Sequence, residues 1–125
     1  MTPNPSLTDE ASLLSDSIAK LALEKTAENI ISLDVRGITN FTDFFIICSA
    51  DTDIQIKAIA DNIRKNTKHK PWRVEGYGQL NWVLLDYVDV VVHVFKTRER
   101  EYYNLESLWA DAPLTEYKDE PESIS

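Results

Sequence analysis

One cysteine, two histidines and three glycines in 125 residues remove several kinds of chemistry at once. Cys48 has no second cysteine to pair with, and its place in an apolar run fits a reducing cytoplasm. With His69 and His93 it makes too small a set for a structural zinc site. The only paired glycine feature is "GYG" at 76–78, which has neither the dinucleotide nor the P-loop spacing. No serine occupies a nucleophile elbow, and Cys48 has no flanking cation to activate it. No apolar run reaches the length of a membrane span. The opening "MTPNPSLTDEASL" has neither the basic start nor the apolar block of a secretory signal, and no Arg- and Ser-rich, acid-poor leader. The expected location is therefore a bacterial cytoplasm.

Positive charge is also scarce. Thirteen lysines and arginines face 21 acids, for a net charge of −8 and a pI near 4.7. A protein that wraps nucleic acid draws its affinity from cations placed on phosphates, so that class is disfavoured. An acidic domain attracts basic partners instead, and contact with any nucleic-acid machine is expected to run through basic protein. The 43% hydrophobic and 27% charged fractions are those of an ordinary soluble domain with a core of its own.

The expected organisation is a flexible N-terminus over 1–11, one domain over 12–110 and a flexible acidic tail over 111–125. Leu13, Leu14, Ile18, Leu21 and Ala22 recur at helical spacing. Ile31, Leu33 and Val35 alternate with Ser32, Asp34 and Arg36, as in a strand with one wet face. "DFFIICSA" (43–50) reads as a central strand buried on both sides, paired with the first as a hairpin. The segment "DTDIQIKAIADNIRKNTKHK" (51–70) is the clearest helix: Asp51 or Thr52 caps it, Ile56, Ile59, Ala60 and Ile63 form its buried stripe, and Pro71 stops it. "WRVEGYG" forms a short strand, "WVLLDY" and "DVVVHVF" a hairpin across Tyr87–Val88, and "REREYYNLESLW" a last helix with Tyr102, Leu105, Leu108 and Trp109 on one side. The "DAPLTEYKDEPESIS" stretch has no apolar period and reads as tail. This order predicts an α/β domain with a mixed five-stranded sheet flanked by helices.

Two functional readings compete over "NWVLLDYVDVVVHVF" (81–95). Asp86, Asp89 and His93, with Asp51 and Asp53, include the carboxylates that a magnesium-dependent phosphoryl-transfer site requires. Each also has a simpler structural role: Asp89 in a turn, Asp51 and Asp53 at a helix start, His93 among valines. The other reading concerns Trp82. Alternation sends Val83 and Leu85 to the core and Trp82, Leu84 and Asp86 to the opposite face. If that face is open, it is an apolar patch with a polar rim, the composition of a docking surface; if a helix covers it, Trp82 is core.

The run "EGYGQLNWVLLDYVDVVVHVF" closely resembles the ribosomal silencing factor RsfS, the Iojap family. The resemblance rests on Glu75-Gly76, on Trp82 to Asp86 and on the Asp-Val-Val-Val-His-Val segment. Upstream, "ISLDVRGITNFTDFFIICSA", with Asp34 and Thr42-Asp43, is similar to the family's opening hairpin. Downstream, Arg100, Tyr103, Leu105, Glu106, Leu108 and Trp109 are similar to its closing helix. The match is colinear over roughly 12–110.

The resemblance implies a nucleotidyltransferase-like fold without the catalytic signature; "CSADTD" has the serine, but no glycine precedes it and the acids follow too soon. It implies no enzyme activity, no cofactor and no metal. It implies binding to the large ribosomal subunit through its basic L-fourteen protein, with little direct nucleic-acid contact and no membrane, so that joining of the small subunit is blocked when nutrients fail. Trp82 is the implied contact, with Glu75, Tyr77, Asn81, Leu84 and Asp86 around it. Free members of the family pair as homodimers. The chain departs from the family pattern at "GYGQLN", just before the tryptophan.

Overall fold

The computed structural model describes residues 9–118, so the expectations for residues 1–8 and 119–125 fall outside the described residues. Helix α1 (Glu10–Glu24) begins at Asp9, whose carboxylate accepts the Ala11 N–H at 3.0 Å and satisfies one of the orphan donors of the first turn. Its buried stripe is Ala11, Ser15, Ile18, Ala19 and Ala22. That stripe is rotated from the expected one: Leu13 is exposed, and Leu14 and Leu21 only edge the core. Small residues face inward because α1 lies close over the sheet.

Strands β1 (Glu28–Asp34) and β2 (Phe44–Ala50) form the expected antiparallel hairpin. The wet face expected for β1 is not wet at Ser32, which is buried. Its hydroxyl pairs with that of Ser15 at 3.0 Å, and this mutual hydrogen bond is what lets two serines sit beneath a helix. Helix α2 (Asp53–Asn66) follows, capped by Thr52 Oγ1 accepting the Gln55 N–H at 3.1 Å. Ile56, Ile59, Ala60 and Ile63 are fully buried, as their spacing predicts.

Strands β3 (Arg73–Glu75), β4 (Trp82–Asp86) and β5 (Val90–Lys96) complete the inner order. The chain then enters α3 (Thr97–Tyr103) and a 3₁₀ turn over Leu105–Trp109. The single closing helix expected from the sequence is thus broken at Asn104, which takes a left-handed φ of 45°. Tyr102 and Leu108 end up exposed, while Leu105 and Trp109 pack on the sheet.

A sixth strand, β6 (Leu114–Tyr117), corrects both the strand count and the view of residues 111–125 as tail throughout. It pairs antiparallel with β1, with Leu114 opposite Leu33 and Glu116 opposite Ile31. Strand formation here needs only backbone donors and acceptors to satisfy the free edge of β1, which an apolar period does not report. Among the described residues the sheet therefore has six strands in the order β3-β4-β5-β2-β1-β6. The β2–β5 pair at its centre is parallel and its other neighbours are antiparallel.

Helices α1 and α2 cover one face, where Ile46, Cys48, Val83, Leu85, Val92 and Val94 lie in the main core. The opposite face carries a smaller cluster of Ile31, Leu33, Val35, Ile47, Phe95 and Ala112, edged by Phe45, Trp82, Leu105 and Trp109. No helix among the described residues is long and apolar enough to cross a membrane.

Candidate functional site: the half-covered face of the sheet

Side chains in a strand alternate, so one face of β4 holds Val83 and Leu85 and the other holds Trp82, Leu84 and Asp86. The first pair is fully buried and the second set half-buried. Strand register extends that second face across the sheet. Glu75, Leu84, His93, Ile47 and Ile31 share one row; Arg73, Asp86, Val91, Phe45 and Leu33 share the next. The 3₁₀ turn and the segment leading to β6 cover the β1–β2 half, with Trp109 against Phe45 (ring centroids 5.2 Å) and Ala112 buried. The β3–β4 half is left half-exposed at Trp82, Leu84 and Asp86 and exposed at Glu75.

Trp82 is therefore neither free surface nor core. Its indole lies 4.7 Å from the Phe95 ring, 5.0 Å from Tyr103 and 5.9 Å from His93. Its Nε1–H donates to His93 Nδ1 at 3.0 Å. His93 is 5% exposed, wedged between Phe45 and Phe95, and burial pushes its pKa down to about 4. Glu75 meets Arg73 at 3.4 Å on the exposed rim, and Asp86 meets Arg73 at 3.6 Å. The Asn81 carbonyl accepts the Lys96 N–H at 2.9 Å, and Asn81 shares a shallow hollow with Trp82, Gly76, Glu99 and Tyr103. Gly76 has φ +94°, and a Cβ there would strike the Trp82 carbonyl, so the approach to the tryptophan depends on glycine.

Glu75, Asn81, Trp82, Leu84 and Asp86 are thus brought together. Tyr77 is not among them. Its hydroxyl donates to Asp61 of α2 at 2.9 Å, Arg64 stacks on its ring at 4.9 Å, and burial pushes its pKa up to about 12. It belongs to the helix-covered face. Sequence reasoning also missed Tyr103 and His93 as neighbours of Trp82. The signal was present in the hairpin: a turn after Asp86 sets Trp82 opposite Phe95 and Leu84 opposite His93, bringing His93 diagonally beside the indole.

The candidate catalytic acids are dispersed into structural work. Asp86 Oδ1 accepts the Val88 N–H at 2.8 Å and shapes the β4–β5 turn. Asp89 is exposed, and its main-chain carbonyl receives the N–H groups of Asp43 and Phe44. Asp51 accepts from Thr97 Oγ1 at 2.6 Å, and Asp53 pairs with Lys96. Cys48 is fully buried, and its thiol is pushed up to about 12 by desolvation. Among the described residues no three His, Cys, Asp or Glu side chains gather closely enough to hold a metal ion.

Comparison with known proteins joins this geometry to a family. The profile of the family described as "Ribosomal silencing factor during starvation" matches residues 8–125. The chain is 47% identical over 96 residues to ribosomal silencing factor RsfS of Halalkalibacterium halodurans, covering 74% of this chain and 82% of that one. It is 46% identical over 107 residues to RsfS of Bacillus subtilis, covering 80% and 91%. A crystal structure of a Chromobacterium violaceum protein superposes with a TM-score of 0.77 at 28% identity, covering 93% of each chain.

Proposed function

The chain belongs to the family of ribosomal silencing factors, and on that premise we propose that it docks on the large ribosomal subunit through the L-fourteen protein and sterically blocks joining of the small subunit. Translation is thereby repressed under nutrient limitation, in the cytoplasm and without catalysis. The observation that carries this reading is the half-covered sheet face: an aromatic anchor, Trp82, beside Leu84, with the acids Glu75 and Asp86 on its rim. An apolar centre with an acidic rim complements a basic ribosomal protein, and the net charge of −8 favours the encounter. Exclusion needs only affinity and bulk. In the free protein the same face is available to a second copy, so homodimer formation and ribosome binding compete.

An interface of ordinary size buries roughly 1,200–2,000 Å², and a few anchors dominate its energy. Truncating a tryptophan anchor removes about 2–4 kcal/mol, or roughly 30- to 1,000-fold in affinity. Trp82 also supports the fold through Phe95 and Tyr103. With one side of the ring open, Trp82→Ala is expected to lower stability by about 1–3 kcal/mol, less than the roughly 3–5 of a buried tryptophan. The test mixes isolated large subunits with wild type or Trp82→Ala, adds small subunits, and follows joining by light scattering at a temperature where melting curves show both proteins folded. Wild type should block joining and the variant should not. Unimpeded joining in the presence of wild type would overturn the reading.

A further inference from the structure

His93 presents an imbalance that the fold alone does not explain. It occupies a β5 position flanked by Val92 and Val94, is 5% exposed, and lies against two phenylalanines. An aliphatic side chain would fill that place without desolvating two ring nitrogens. Its Nδ1 accepts the Trp82 indole N–H, so the neutral ring carries its proton on Nε2. Among the described residues, Nε2 is buried with no hydrogen-bond partner. A buried donor left without an acceptor works against stability. The hydrogen bond to Trp82 is thus the one polar interaction the imidazole makes among the described residues, and it ends on the side chain proposed above to enter the interface.

We infer that His93 is a positioning residue for docking: it holds the Trp82 indole in one orientation so that the ring meets the partner already ordered. The inference rests on the docking reading of Trp82. Three contacts define the orientation. The indole N–H is held by His93 at 3.0 Å, one ring face lies against Phe95 at 4.7 Å, and Tyr103 stands 5.0 Å away. Phe95 and Tyr103 are apolar contacts that a rotated indole can still make; the directional hydrogen bond is what selects one rotamer. Because the N–H is already used, Trp82 offers its partner ring area and no donor. The partner surface it fits is accordingly an apolar recess, or the stem of a lysine or arginine whose cation faces Glu75 and Asp86. Pre-ordering an anchor raises affinity by removing the entropy loss of fixing it on binding.

The test compares wild type, Trp82→Ala, His93→Leu and His93→Asn for binding to isolated large subunits, with thermal melts and NMR of the indole N–H groups. His93→Leu removes the acceptor and the unpaired donor together. It should melt no lower than wild type and yet bind roughly three- to tenfold more weakly, the entropy of refixing one freed side chain. Its Trp82 indole N–H, identified as the resonance missing from Trp82→Ala, should move toward the position of a solvated indole. Asn Oδ1 can take the place of Nδ1 as acceptor, so His93→Asn should recover binding to within about twofold and keep the shifted resonance even if it melts lower. If His93→Leu binds as wild type does while Trp82→Ala fails to bind, docking stands and positioning by His93 is wrong. If Trp82→Ala binds as wild type does, the docking reading falls and the inference with it. If His93→Leu melts well below wild type and His93→Asn binds as weakly as His93→Leu, the histidine is a structural residue and the inference is overturned.

Discussion

Replacing Arg100 by methionine should detach the C-terminal segment from the sheet. Arg100 is a buried cation, its side chain 10% exposed, at the junction of α3 with the irregular start of β1. Its Nη1 donates to the Asn29 carbonyl at 2.7 Å and to Ser49 Oγ at 3.1 Å. Its Nη2 and Nε reach the two oxygens of Glu106 at 2.9 and 3.3 Å. The same guanidinium thus ties β1 and β2 to the 3₁₀ turn that leads into β6. Methionine keeps most of the stem packing and loses the fork. Glu106, 31% exposed, can turn to water, so its share is that of a surface pair, about 0–1 kcal/mol. The Asn29 carbonyl and the Ser49 hydroxyl lose a charged donor inside the structure, about 1–3 kcal/mol. The sum is about 1–4 kcal/mol, or roughly 3–16 °C in Tm for a domain of this size. Urea melts give the free energy. Amide exchange at Leu114–Tyr117 gives the locality, and those amides should lose protection before the centre of the sheet does. A loss below about 1 kcal/mol with unchanged exchange in β6 would refute this account of how the segment is held.

Three further outcomes test other parts of the structure. Gly76→Ala places a Cβ against the Trp82 backbone at a φ of +94°, so it should lower stability by about 2–4 kcal/mol and alter the near-UV signal of the tryptophans; an unperturbed melt would show that the β3–β4 connection is looser than described. Tyr77→Phe removes the hydrogen bond to Asp61 and should lower stability by about 0.5–1.5 kcal/mol in urea while leaving large-subunit binding unchanged; a binding defect would return Tyr77 to the docking face. Burial lowers His93 from 6.5 to about 4, so the unfolded chain takes up a proton that the native chain refuses. Stability should therefore fall as pH drops from about 6.5 toward 4, by roughly 3 kcal/mol, and His93→Leu should flatten urea-melt midpoints across that window; parallel curves would contradict it. Asp34, held low by its hydrogen bond to Arg36, adds its loss further into acid in both proteins.

What could be read without coordinates was what depends on local period and end chemistry. The α2 stripe, its cap, the continuous apolar β2 and the division of β4 into a core face and an outer face all follow from spacings within one element. The sites of error are equally physical. Alternation makes Ser32 solvent-facing because local pattern carries no information on its partner, Ser15, 17 positions earlier. Residues 114–117 read as tail because an edge strand answers to the unpaired backbone of β1 and not to hydropathy. The resemblance sets Tyr77 beside Trp82 as extra aromatic area, whereas a positive φ at Gly76 and contacts with Asp61 and Arg64 give it to the other face.

Sequence by itself determined the order of elements from the first helix to the fifth strand and much of the main core, because these are carried by residue type and short-range periodicity; Trp82 was singled out by the family resemblance, since alternation alone left its face open or covered. Tertiary structure alone decided how much of the second face is covered, which side chains hold the indole, and that a lone histidine among valines is its hydrogen-bond partner. Those are contacts between segments distant in the chain, and they exist only once the strands are in register and the C-terminal segment has folded back across the sheet.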